Sequence, residues 1–246
     1  MRNLTDTSFA PFASSLQQRL QGFDPCKVPV FRFDFVVVGG GAAGASAALA
    51  AAEAGLSVAV LVKMGLLETN TYEAKGGMAA VLSPDDSFEL HIADTLQVGC
   101  GLSDPTAVEA VVRGGPEAVA GLLAIGAKFD IELDGRLHLS REGGHSRARI
   151  FHSGDATGIV IQKTLATALD EHPNITVFPN HFALDLLQGE SGRVDGVLAL
   201  REGMGRRFDP AKPPPHVAFA AGHVLLATGG AGQLYRETTN PEIATG

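Results

Sequence analysis

The stretch that decides the fold is Phe33–Lys63, FDFVVVGGGAAGASAALAAAEAGLSVAVLVK. Phe35–Val38 reads as a buried strand and Gly39–Gly44 as a glycine turn. Ala45–Ala54 reads as a small-residue helix, and Val58–Val62 as a second buried strand. The turn has G-x-G-x-x-G spacing. Gly39 permits the tight bend, Gly41 lets backbone approach a pyrophosphate, and Gly44 lets the helix sit close on the strand. Backbone N–H groups and the positive end of the helix dipole then face the phosphates. Strand, turn, helix and strand fall in the required order, so Gly39, Gly41, Ala42, Ala43 and Gly44 are the first candidate site residues, at a dinucleotide site.

The composition bounds what surrounds this unit. A chain of 246 residues with 45% hydrophobic content can bury a sizeable core. Thirty glycines suit close helix–strand contacts and phosphate turns. A net charge of −8 argues against a general nucleic-acid or anionic-membrane binder. Cys26 and Cys100 lie far apart without a CxxC pair, which points to a reducing cytosol and to no disulfide framework, cluster or zinc site. No signal-peptide pattern opens the chain. Phe35–Ala52 is uncharged over 18 residues, but its triple glycine makes it a poor membrane span. A soluble, cytoplasmic protein is expected.

Residues 1–34 read as an N-terminal arm, with a short amphipathic segment at Phe12–Leu20, and residues 35–246 as the main domain. An ordinary fingerprint places an acid at the end of the second strand to hold a ribose; here the residue is Lys63. Thr69–Val81, TNTYEAKGGMAAV, reads as a loop whose Gly76-Gly77 pair can lay backbone against a planar group. Asp85–Val98 reads as a surface helix. Ser103-Asp104-Pro105 opens another helix that runs to Arg113, Gly114-Gly115-Pro116 breaks it, and Glu117–Ile125 forms a third. Asp134-Gly135 marks a hairpin.

Residues 141–158, REGGHSRARIFHSGDATG, gather Arg141, Arg147, Arg149, His145 and His152 in an otherwise acidic protein. Such a run is either a solvated basic loop or a field for a dianionic substrate, with Glu142 meeting a substrate ammonium. Asp155–Glu171 reads as a long helix and Ile175–Phe178 as a short strand. Phe182–Leu187, Val194–Leu200 and His216–Ala220 read as a three-stranded meander, with residues 203–215 as its mobile loop. A separate buried strand, His223–Ala227, ends in Ala-Thr-Gly-Gly. That repeats the logic of the first turn, so Thr228, Gly229 and Gly230 give a second backbone approach to the same cofactor.

Together these segments resemble the flavoprotein family of L-aspartate oxidase and the succinate dehydrogenase and fumarate reductase flavoprotein subunits. The residues that carry the resemblance are VVVGGGAAG (36–44), VLVK (60–63), AKGGMAAV (74–81), REGGHS (141–146), DATG (155–158), LLATGG (225–230) and YRETTNPEIATG (235–246). It implies an α/β fold: a Rossmann-like FAD-binding domain with a parallel sheet and a β-meander. The family's capping domain, C-terminal part and catalytic residues are expected beyond Gly246. Cofactor contacts are implied for Lys63, Asn70, Thr71, Ala74, Gly76, Gly77 and Ala183, beside the two glycine turns.

Two positions favour the aspartate oxidase branch. The dehydrogenase and reductase branches carry a flavin-linked histidine where this chain has Asn70, so FAD is expected without a covalent bond. In REGGH, Glu142 is the residue expected to read the substrate amino group, and burying it without an ammonium would be costly. The loop departs from the family in carrying Lys75 where a glutamine is usual. The implied reaction is hydride transfer from the α-carbon of L-aspartate to flavin, giving iminoaspartate, the precursor of quinolinate in NAD biosynthesis. Electrons then pass to oxygen or fumarate, functional coupling to quinolinate synthase is expected, and no metal is implied. The alternatives are a succinate- or fumarate-directed subunit and a fragment inactive as it stands.

Overall fold

The structure, a computed structural model, describes residues 28–189, 191–201 and 216–246. The expected amphipathic segment, Cys26 and the 203–215 loop lie outside the described residues. The chain divides into two compact units, one formed by Met1–Asn70 with Ala166–Gly246 and the other by Thr71–Leu165.

The first unit is built on a six-stranded sheet in the order β5-β2-β1-β8-β7-β6. Its strands are β1 (Val30–Val38), β2 (Val58–Leu61), β5 (Ile175–Phe178), β6 (His181–Gln188), β7 (Val194–Arg201) and β8 (His216–Leu226). Strands β5, β2, β1 and β8 run parallel, while β8, β7 and β6 form the antiparallel meander. The expected fold class is therefore present. Helix α1 (Ala42–Glu53) follows β1 and buries Gly44, Ala45, Ala48 and Ala52. Residues this small let a helix lie close on a sheet. Val36, Val38, Leu61, Val197 and Phe219 centre the core, with Phe31, Phe33 and Phe178 packed against it.

Two strand boundaries differ from the sequence reading. Strand β1 begins at Val30, not Phe35, because Phe31–Phe35 alternates partly buried phenylalanines with exposed Arg32 and Asp34 before Val36–Val38 is covered on both faces. The expected break between His216–Ala220 and His223–Ala227 is absent. β8 is one strand of 11 residues that changes partners along its length. It pairs antiparallel with β7 over His216–Ala220 and parallel with β1 over Ala218–Leu226. The β1 pairing passes from Ala221 to His223, so the strand continues across Gly222, which as sequence reads as a breaker.

The second unit holds a short helix continued from Asn70, α2 (Asn70–Glu73), and a two-stranded sheet, β3 (Met78–Ala79) with β4 (Ile150–Phe151). The expected Thr69–Val81 loop is thus partly regular, in pieces too short to show periodicity. Helix α3 (Phe88–Val98) starts at Ser87, whose Oγ accepts from Leu90 N. Helix α4 runs unbroken over Pro105–Ala124, capped by Asp104, with Pro116 inside it. The expected break at Gly114-Gly115-Pro116 does not occur. Proline clashes with the Cβ of the residue before it, and Gly115 has none. Val112 and Val119, both buried, anchor the helix on either side of Pro116. At Asp134-Gly135 the hairpin is reduced to a tight turn with one bridge, Ile131 to Leu137. Helix α5 (Thr157–Glu171) starts two residues later than expected.

Candidate functional site

In the first unit, β1 and β8 end side by side, with Val38 paired to Leu226 and Ala227 N donating to Val38 O at 2.8 Å. The two glycine turns therefore open at the same sheet end. Gly39 has φ +112°, and a side chain there would collide with the Ala227 carbonyl. At Gly44 a Cβ would strike the Gly39 carbonyl. These two glycines are steric requirements of the turn. Gly41 is the N-cap of α1, and no side chain caps the helix start. Ala43, Thr228, Gly229 and Gly230 line this end as small exposed residues. Asn70 joins them, because a Cβ on Gly229 would lie 3.9 Å from its Nδ2.

Lys63 sits just past β2. Its Nζ donates to Thr245 Oγ1 at 2.7 Å, and burial lowers the pKa of the ammonium. Ala183 lies in β6, two residues after His181, whose N–H donates to Val62 O at 3.0 Å. It packs against the Val36–Phe219 core, so a packing role is what its surroundings display.

In the second unit, the carbonyls of Thr71 and Ala74 press against Gly158, whose N–H donates to Ala74 O at 2.9 Å. Any side chain at Gly158 would push this loop away. The DATG segment thus seats the loop on the start of α5, a function that the candidate residues had missed. Gly76 and Gly77 separate in role. Gly76 faces open space, whereas a Cβ at Gly77 would meet Ile150 and Phe151 of β4. Lys75 is exposed.

The basic run of residues 141–158 is not one positive field. Arg149 is fully buried and held by two aspartates. Its Nε and Nη2 donate to the two Asp86 oxygens at 2.8 and 2.7 Å, and Nη1 donates to Asp94 Oδ2 at 2.6 Å. Burial pushes the Asp94 carboxyl up, but the Ser146 N–H, the Ser146 hydroxyl and Arg149 outweigh it and bring it down to about 2. The Arg149 charge is therefore not offered to a substrate, which corrects the expectation for that residue. His152 turns to Asp130, with Nδ1 2.8 Å from Oδ2. Glu142 is exposed, and among the described residues it enters no ion pair. Asp86 and Asp94 were not legible as partners, since the sequence places them on or just before an ordinary surface helix. No group of residues suited to hold a metal ion occurs among those described.

A family model described as FAD binding domain matches residues 34–246. The chain belongs to the FAD binding domain family. FAD is accordingly its cofactor, and the uncapped start of α1 at Gly41, beside the small exposed residues Ala43, Thr228, Gly229 and Gly230, fits the close backbone approach that this group needs. The chain is 46% identical over 217 residues to the chloroplastic L-aspartate oxidase of Oryza sativa subsp. japonica, covering 87% of this chain and 32% of that protein. It is 45% identical to the L-aspartate oxidase of Streptomyces coelicolor, covering 87% and 36%. Among solved structures, quinol fumarate reductase FrdA of E. coli is similar at a TM-score of 0.76 and 32% identity, covering 87% and 35%. The chain thus spans about a third of the length of the curated relatives it matches.

Proposed function

We propose that this FAD binding domain is part of an enzyme that oxidises L-aspartate to iminoaspartate. The observation that carries the reading is Glu142, an exposed carboxylate outside any ion pair among the described residues. Succinate and aspartate differ by one ammonium group. A carboxylate that pairs with that ammonium favours aspartate over succinate, which offers Glu142 no cation.

Bound FAD would supply the hydride acceptor for oxidation at the substrate α-carbon. The residues of this chain bind and orient. The start of α1 receives the pyrophosphate at its N–H groups, with Gly41, Ala42 and Ala43 leaving room. Thr228, Gly229 and Gly230 bring a second stretch of backbone to the same group. Asn70 carries an amide, which cannot form a histidyl bond, so the flavin is held without a covalent link. Thr71, Ala74, Gly76 and Gly77 form the loop assigned to the ring. The product is the precursor of quinolinate, so functional coupling to quinolinate synthase and electron transfer to oxygen or fumarate belong to this reading. No helix among the described residues is long and apolar enough to cross a membrane. A cytoplasmic location is proposed, though the rice relative is named chloroplastic.

A second reading, a succinate- or fumarate-directed subunit, draws on the likeness to quinol fumarate reductase. One experiment separates the two. The protein, extended to the length of its relatives, is assayed with L-aspartate and with succinate and then precipitated with acid. Aspartate turnover with yellow colour in the supernatant supports the first reading. Succinate turnover alone, with the colour kept in the pellet, would establish the second.

A further inference from the structure

Residues 141–149 form a closed loop. Ser140 and Ile150 bridge its base, with Ser140 N donating to Ile150 O at 2.8 Å and Ile150 N to Ser140 O at 3.1 Å. Near the tip, His145 N donates to Glu142 O at 3.2 Å and fixes the turn that carries Glu142. The second half of the loop is tied to α3. Ser146 donates to Asp94 Oδ2 from its backbone N at 2.7 Å and from Oγ at 2.8 Å. The Arg149 side chain points inward to Asp86 and Asp94, and its backbone carbonyl accepts from Ala80 N at 3.0 Å. Arg149 therefore fastens the Glu142 loop to the end of the flavin loop through its main chain and to α3 through its side chain.

The charges in this arrangement raise a question of choice. An arginine seven residues along the same loop is a natural partner for Glu142. Arg149 instead has no exposed surface, and Nη1 also lies 3.3 Å from His145 Nδ1, which must accept because a guanidinium only donates. Losing either aspartate would leave a buried cation short of partners, and such a group moves toward another anion.

We infer that Asp86 and Asp94 are specificity-determining positioning residues: by binding Arg149 and Ser146 they fix the Glu142 loop and keep Glu142 free for the ammonium of an amino-bearing dicarboxylate. This inference rests on the proposed reading of Glu142. The two aspartates act through Glu142 and need not touch substrate themselves.

The test is a double-mutant cycle in the full-length, FAD-loaded protein with Asp94→Asn, Glu142→Gln and the pair together. Asp94→Asn is expected to raise the KM for L-aspartate about tenfold with kcat within about threefold, and to leave the inhibition constant of succinate unchanged. Combined with Glu142→Gln, it should add nothing further. Amide exchange at Ser146, read by mass spectrometry without substrate, should quicken in Asp94→Asn. Equal losses on both ligands, or an Asp94→Asn effect that persists undiminished in the Glu142→Gln background, would overturn the inference while sparing the reading of Glu142. An unchanged aspartate KM in Glu142→Gln alone would remove that reading and this inference with it. Should Asp94→Asn fail to fold, Ser146→Ala decides: it deletes one donor to Asp94 and should raise the aspartate KM about threefold without moving succinate.

Discussion

Gly39 shows how a single missing side chain sets what the site can hold. Its φ of +112° and the Ala227 carbonyl against it leave no place for a Cβ. That neighbour is backbone in a paired strand and cannot swing aside. Gly39→Ala should therefore weaken FAD binding at least about tenfold, the cost of roughly 1–3 kcal/mol for a strained backbone position. Titration of FAD fluorescence against the protein measures it, with Gly121→Ala as comparison. Gly121 lies in α4 with open space around it and carries no assigned cofactor contact, so binding by that variant should stay within about twofold of wild type. Near-equal affinities for the two variants would show that the turn does not carry the cofactor. On the proposed reading of Glu142, Glu142→Gln in the full-length protein removes a charge-assisted contact with the substrate ammonium and should raise the aspartate KM about tenfold or more. Steady-state kinetics reads that directly, and a fall in kcat alone would contradict the assignment.

At the scale of elements, helix α4 tests why a Gly-Gly-Pro sequence fails to break a helix. The reason given above is the absence of a Cβ on Gly115, which relieves the contact with the Pro116 ring. Gly115→Ala restores that contact and should lower stability by about 1 kcal/mol or more, despite alanine's higher helix propensity. Gly114 has open space around it and no proline next to it, so Gly114→Ala should be neutral or stabilise by up to about 1 kcal/mol. Opposite signs in paired urea melts would support the steric account; equal gains from both would dismiss it. The same scale shows what the sequence could disclose. The β1–α1–β2 unit was legible because strand, turn and helix are each specified by neighbouring residues. The ends of β8 were not, because its continuity depends on two different partner strands. The seat of the Thr69–Val81 loop was half legible. DATG stood out as a motif, but only the contact between Gly158 and the Thr71 and Ala74 carbonyls explains its glycine. Gly158→Ala should accordingly displace this loop and reduce FAD affinity, while a stable holoprotein with native affinity would refute that seating.

For the molecule as a whole, the buried titratable groups predict how stability depends on pH. Burial holds the His91 pKa below its ordinary 6.5, with the Arg149 charge acting in the same direction. A histidine lowered in this way takes up its proton more readily when unfolded. Its contribution is complete above pH 6.5 and is lost as pH falls through the folded value. His181 and His216, also lowered by burial, act in the same sense. Asp94 follows in a separate window. Its carboxyl is held down at about 2 against an ordinary 3.8, so its contribution is present above 3.8 and disappears as pH falls toward 2. After allowance for solvent screening this amounts to roughly 1–2 kcal/mol. Acidification should therefore weaken the protein in two stages, first below about pH 6.5 and again below about pH 4. Neither stage can be read from the net charge of −8, because both arise from groups that folding removes from water. Urea unfolding at a series of pH values tests the assignment. His91→Gln should reduce the slope of only the upper stage, where His181 and His216 supply the remainder, and Asp94→Asn that of only the lower. If both variants kept the wild-type slope throughout, the pH response would belong to other groups, and the buried Asp86–Arg149–Asp94 cluster would not be an electrostatic support of the fold.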